Sequence, residues 1–167
     1  MPGVQLISAT LEHYDILYNL TQLYQYDFSE FLPGEVDQNG EYPYIDVRRY
    51  LTQKGHDAYL ARSNGFWCGF ALVNNRLRHR HSGDGRYIAE FFVMRRHRRQ
   101  GLGREMAIKL FNAYRGYWEI AEVGPNTPAQ LFWRRIIGEY SAGRYEERTT
   151  EEEGLPIIWQ MFDSGKW

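Results

Sequence analysis

Glu90 interrupts an apolar run, Tyr87-Ile88-Ala89-Glu90-Phe91-Phe92-Val93, where an unpaired carboxylate is costly. Apolar neighbours raise the pKa of such a group toward neutrality, which makes Glu90 a candidate proton acceptor. Just beyond lies Arg98-Arg99-Gln100-Gly101-Leu102-Gly103-Arg104. Its two glycines remove side chains that would keep an anion from the backbone. A helix starting there offers unpaired N–H groups and the positive end of its dipole. The ligand suited to that junction is a phosphate or pyrophosphate. The order R-x-x-G-x-G is neither the dinucleotide fingerprint G-x-G-x-x-G nor the Walker loop, so neither nucleotide-binding fold is indicated.

Periodicity supplies the elements that must hold these residues. The strand Tyr87 to Met94, the helix Gly101 to Tyr114 and the strand Tyr117 to Val123 read as a β-α-β unit with parallel strands. Upstream, the pattern predicts a strand over Val4 to Thr10 and a helix over Glu12 to Asp27, with Ile16, Leu17, Leu20, Leu23 and Tyr24 inward. A break rich in turn signals leads to a short helix, Ile45 to Gln53. Strands Asp57 to Arg62 and Phe66 to Asn74 then meet across Ser63-Asn64-Gly65, and Arg76 to Arg86 is a charged loop. Downstream, Pro125-Asn126-Thr127-Pro128 opens a helix to about Ile137, and strands near Arg144 to Thr149 and Pro156 to Phe162 complete the set.

The 167 residues, 43% hydrophobic, suit one domain over 1–167. A formal net charge of −1 gives no basic field for nucleic acid, although Arg95 to Arg104 is locally basic. No apolar run spans a membrane and no secretory signal is visible, so a cytoplasmic protein is expected. Cys68 sits in an apolar run as a small buried hydrophobe. His79 and His81 lack a third ligand nearby, so no metal is expected.

The apolar strand ending in Val93, followed by Arg98-x-x-Gly101-x-Gly103 at a helix start, resembles the acetyl-CoA pyrophosphate loop of the GNAT superfamily of N-acetyltransferases. The element order β-α-α-β-β-β-α-β-α-β-β is similar to that family along nearly the whole chain. The resemblance implies an α/β (α+β) fold: a mixed, mostly antiparallel sheet of six to seven strands, about four helices, and a β-α-β acetyl-CoA-binding core. It implies acetyl transfer from acetyl-CoA to a primary amine by direct attack in a ternary complex, with Glu90 as general base. Cofactor contacts would come from Phe92, Val93, Met94, Arg98, Arg99, Gln100, Gly101, Leu102, Gly103 and Arg104. Backbone N–H groups around Phe92 to Met94 would polarise the thioester carbonyl, and splaying of this strand from Tyr117 to Val123 would admit pantetheine.

Asn126-Thr127-Pro128-Ala129-Gln130-Leu131-Phe132-Trp133 is similar to the family's second signature, which puts Asn126 and Trp133 beside the cofactor. Relatives usually carry a tyrosine at the last position to protonate the CoA thiolate, and indole is no useful acid. Tyr140 or water would have to replace it, or the thiolate leaves unprotonated. The rival reading is a non-catalytic acyl-CoA-binding module. The resemblance also implies an acceptor pocket bordered by the segment that holds Asp27, Glu30, Glu35, Asp37, Glu41 and Asp46 with Phe28, Phe31, Tyr42 and Tyr44. Asp27, Glu30, Phe31 and Tyr42 are its candidate substrate contacts, suited to a cationic amine with an apolar body. The aromatic strand Pro156 to Phe162 and Trp167 offer a homodimer surface.

Overall fold

The computed structural model describes residues 3–43 and 45–167, so Tyr44 lies outside the described residues. Among the described residues there are seven strands: β1 (Gln5–Ser8), β2 (His56–Ser63), β3 (Phe66–Asn74), β4 (Gly85–Val93), β5 (Tyr117–Val123), β6 (Glu146–Glu152) and β7 (Leu155–Asp163). Four α-helices accompany them: α1 (Tyr14–Phe28), α2 (Val47–Thr52), α3 (Leu102–Ala113) and α4 (Thr127–Ser141). The strands form one mostly antiparallel sheet in the order β1-β2-β3-β4-β5-β7-β6, with β4 and β5 parallel. Contacts divide the chain into two compact units, residues up to Leu72 with Glu90–Gly103, and Val73–Ala89 with Arg104–Trp167.

In the first unit, Asn64 (φ 50°) and Gly65 (φ 81°) make the two-residue turn between β2 and β3. Positive φ at both positions matches the twist of the paired strands, which is why Asn-Gly marks a hairpin. Leu17 and Leu20 of α1 and Val47 of α2 pack with Ala58, Leu60, Phe70, Leu72 and Phe92 of the strands. Each large side chain so buried contributes about 1.5–3 kcal/mol. A 3-10 turn over Leu11–His13 takes the start expected for α1. Asp46 accepts from the Arg49 N–H, so α2 begins at Val47 rather than Ile45.

In the second unit, Phe111 of α3 packs against Trp118 of β5, Trp133 and Tyr140 of α4, and Phe162 of β7. α4 runs four residues past the expected Ile137, until Ala142 (φ 51°) and Gly143 (φ 78°) turn the chain. That turn displaces β6 from the expected Arg144–Thr149 to Glu146–Glu152. β6 is exposed and charged, which discourages pairing of this sheet edge with another chain.

Candidate active site

Glu90 lies on β4, in the first unit. Its carboxyl is surrounded by protein although part of the residue stays accessible. Burial raises its pKa from 4.5 to about 7, and a hydrogen bond from the Tyr24 hydroxyl restrains the rise. The Tyr24 ring is fixed against Phe28, Phe70 and Phe92, with centroids 5.6–5.7 Å apart. A carboxyl titrating near neutrality is present in both forms at pH 7, as a general base requires. Cys68 is fully buried, and burial pushes its thiol pKa up, so it is not an activated nucleophile.

The loop after β4 is built by backbone geometry. A 3-10 turn covers Arg95–His97, Arg99 takes φ 60° and Gly101 φ 81°. The side chain of Gln100 donates to the Arg96 carbonyl at 2.8 Å, bracing the turn from within. A Cβ built on Gly101 meets nothing within 4 Å, so the glycine answers the positive φ and the space beside it is open. Leu102 is buried and Gly103 half-buried, while Arg99 and Arg104 are exposed. Arg99 forms no ion pair among the described residues, whereas Arg104 pairs with Glu139 of α4 at 3.0 Å in the second unit.

Two expected contacts have other partners. The Nε of Arg98 donates to the Val93 carbonyl at 2.7 Å, and its terminal nitrogens donate to Asp27, so the guanidinium is engaged within the fold. The Met94 N–H donates to the Cys68 carbonyl at 2.9 Å, which takes it out of the set of donors expected for the thioester. Asp27 is only 19% exposed and also accepts from Arg95 at 2.7 Å. Burial alone would raise its pKa, but Arg98 and Arg95 outweigh burial and hold it below the ordinary value.

Much of the acidic segment is likewise engaged within the fold. Asp37 accepts from the N–H groups of Asn39 and Glu41 at 2.8 and 3.0 Å, and those bonds lower its pKa. Asp46 caps α2, and Glu41 hydrogen-bonds Tyr18. Tyr42 is tied through its N–H to Gln22 at 2.8 Å, and Phe31 packs on Phe28. Glu30 is exposed and, with Tyr26, Ser29, Arg95 and Arg98, lines a cavity of about 460 Å³.

In the second unit, Asn126 caps α4 by accepting from the Ala129 N–H at 3.2 Å. Trp133 is 4% exposed and packed against Phe132 and Phe111. The Tyr140 hydroxyl donates to Asn112 at 2.9 Å. Tyr140 lies two helical turns beyond Trp133, roughly 10 Å along α4. The β4–β5 ladder covers Gly85↔Tyr117 to Ile88↔Ile120, and on its other edge β5 pairs with β7 along its whole length, Tyr117↔Asp163 to Val123↔Ile157.

Three further residues were not marked out by the sequence pattern. The ring of Tyr24 is expected inward, but nothing in the pattern ties its hydroxyl to Glu90. Glu119 is fully buried and accepts from the N–H groups of Arg78 and His79 at 2.7 and 2.8 Å, pinning the charged loop. Glu122 is buried with both oxygens lacking a donor among the described residues, as does Oε1 of Gln160. Burial raises the Glu122 pKa to about 8, with the neighbouring Gln160 side chain working against the rise. Both glutamates interrupt an apolar strand as Glu90 does, which was the available signal.

The family model described as "Acetyltransferase (GNAT) family" matches residues 17–138. The chain belongs to the GNAT acetyltransferase family. Membership makes it an acyltransferase whose acetyl donor is acetyl-CoA. No curated protein matches this GNAT chain by sequence. Among solved structures, an acetyltransferase from Thermus thermophilus is similar at TM-score 0.67 and 16% identity, covering 96% of this chain and 97% of that one. A Bacillus subtilis acetyltransferase in complex with CoA reaches TM-score 0.58 at 11% identity, covering 98% and 99%. Spermidine N-acetyltransferase from Vibrio cholerae, in complex with CoA and spermine, reaches TM-score 0.65 at 9% identity, covering 98% and 96%. At these identities the likeness is one of fold. No helix among the described residues is long and apolar enough to cross a membrane, and no cluster of three or more metal-ligating side chains occurs among them.

Proposed function

We propose that this chain transfers the acetyl group of acetyl-CoA to a primary amine by direct attack in a ternary complex, with Glu90 accepting the amine's proton. The observation that carries this reading is the Glu90 carboxyl, raised to about 7 on the strand that leads into the glycine loop. An alkylammonium titrates near 10 and is not nucleophilic while protonated, so a neighbouring acceptor is required. As the C–N bond forms and the thioester C–S bond breaks, the proton passes to Glu90 directly or through water, and the thiolate departs.

The pyrophosphate is met by the backbone of the glycine loop, open at Gly101, with Arg99 as the exposed cation. That division of labour follows from Arg98 being engaged by Val93 and Asp27. The acceptor is an amine with an apolar body, and Glu30, Phe31 and Tyr42 remain its candidate contacts. Since Asp27, Asp37 and Asp46 have partners in the fold, recognition of its charge falls mainly to Glu30 and Glu35. The polyamine bound by the Vibrio cholerae relative is an acceptor of this chemical kind.

Calorimetric titration with CoA tests the loop assignment. Gly101→Glu places a carboxylate in the open space and forces a side chain into φ 81°. CoA binding should be lost with the fold intact, and undiminished affinity would remove the pyrophosphate from this loop.

A further inference from the structure

We infer that Asp27 and Arg98 are positioning residues for the acetyl-CoA loop: the Asp27 carboxylate at the end of α1 holds the Arg98 guanidinium, which in turn fixes the end of β4 and the start of the glycine turn. This rests on the loop assignment made above and concerns how the loop is held.

Asp27 sits in the last turn of α1, at the negative end of the helix dipole, where a carboxylate is locally unfavourable. Its persistence there is explained by its partners. Arg98 donates to Asp27 through its terminal nitrogens and to the Val93 carbonyl through Nε, and Arg95 donates to Asp27 from the other side of the 3-10 turn. One carboxylate therefore grips both ends of the Arg95–Arg98 turn, and one guanidinium reaches back to the last residue of β4. A planar fork can serve carboxylate and carbonyl in fixed geometry, which an ammonium cannot. Within three residues of Arg98 the backbone takes two positive φ values, at Arg99 and Gly101. The non-glycine one costs free energy and persists only where its surroundings over-determine it. The bracket supplies that restraint.

Charge and position make opposite forecasts here. If Asp27 only neutralised arginines near a phosphate site, removing its charge would free two cations and tighten CoA binding. If it positions the loop, the same change weakens binding although the site becomes more positive.

The test is calorimetry with CoA and steady-state kinetics with acetyl-CoA on the full chain, for Asp27→Asn, Arg98→Lys, the double variant and Gly101→Glu, with melting curves on each. Asp27→Asn should weaken CoA about tenfold and raise KM for acetyl-CoA by more than kcat falls. Arg98→Lys should behave similarly, and the double variant should cost little more than either single, since all three break one bracket. Unchanged or tighter binding in Asp27→Asn overturns the inference, as does a double variant whose loss is the product of the singles. If Asp27→Asn does not fold, Asp27→Glu, which keeps the charge, should restore folding with a raised KM, and an unchanged KM there overturns it too. Should Gly101→Glu bind CoA normally, the loop assignment itself has failed, a result distinct from either.

Discussion

Glu90→Gln should cost activity and gain stability at once. The glutamine keeps shape and loses the ability to take a proton, so kcat should fall by roughly 10²-fold or more. In the native wild type the carboxyl titrates near 7 against 4.5 as the ordinary value. The gap corresponds to about 3 kcal/mol at 1.36 kcal/mol per unit, an upper figure because part of the residue is accessible, so about 1–3 kcal/mol is expected. The native state binds the extra proton between these values. Stability from this group is therefore present at low pH and declines as pH rises from about 4.5 to 7, then stays level. Glutamine has no such penalty. Denaturant unfolding of both proteins at pH 4.5, 6 and 8 should show the variant's advantage growing across the series, while the pH–rate profile loses its limb near 7. Equal stabilities at pH 8, or a wild-type profile flat from 6 to 8, would refute the reasoning.

Tyr24→Phe keeps the ring packed and removes the donor that favours the Glu90 carboxylate, so the limb of the pH–rate profile should move above 7. Gly69→Ala would put a Cβ 2.1 Å from the Phe92 carbonyl oxygen, a backbone atom that cannot step aside. A loss of roughly 1–3 kcal/mol is expected, read as a melting temperature lower by about 5 °C. Trp133→Tyr and Trp133→Phe should melt lower than the wild type by comparable amounts, because a buried indole is lost in both. Turnover per folded molecule should match between them, and a clear advantage for tyrosine would show that position 133 can protonate the thiolate after all.

Most of the architecture was legible because the chain's apolar spacing changes period cleanly from strand to helix, and because Asn64-Gly65 and Asn126-Thr127-Pro128 are unambiguous punctuation. The glycine loop was legible for the same reason: Gly101 has a conformational duty visible in its residue type. What escaped was the use of charge. Nothing in the spacing of Asp27 and Arg98 says that they meet, since α1 and the loop after β4 are brought together by tertiary packing. Three carboxylates of the acidic stretch serve the fold: Asp46 caps α2, Asp37 closes a turn and Asp27 holds two arginines, duties that no spacing announces. Tyr24 was legible as an inward ring but not as a hydroxyl aimed at Glu90, because periodicity reports a face and not a rotamer.

Acetylation of an amine with Glu90 as base can be put to a direct trial. Wild type and Glu90→Gln, each incubated with acetyl-CoA and a panel of primary amines that includes a polyamine, can be followed by mass spectrometry of the amines and by release of free CoA thiol. The wild type should yield an acetylated amine and stoichiometric CoA, with the initial rate about 10²-fold lower in the variant. CoA binding without any acetylated product across the panel, or an undiminished rate in Glu90→Gln, would contradict that assignment.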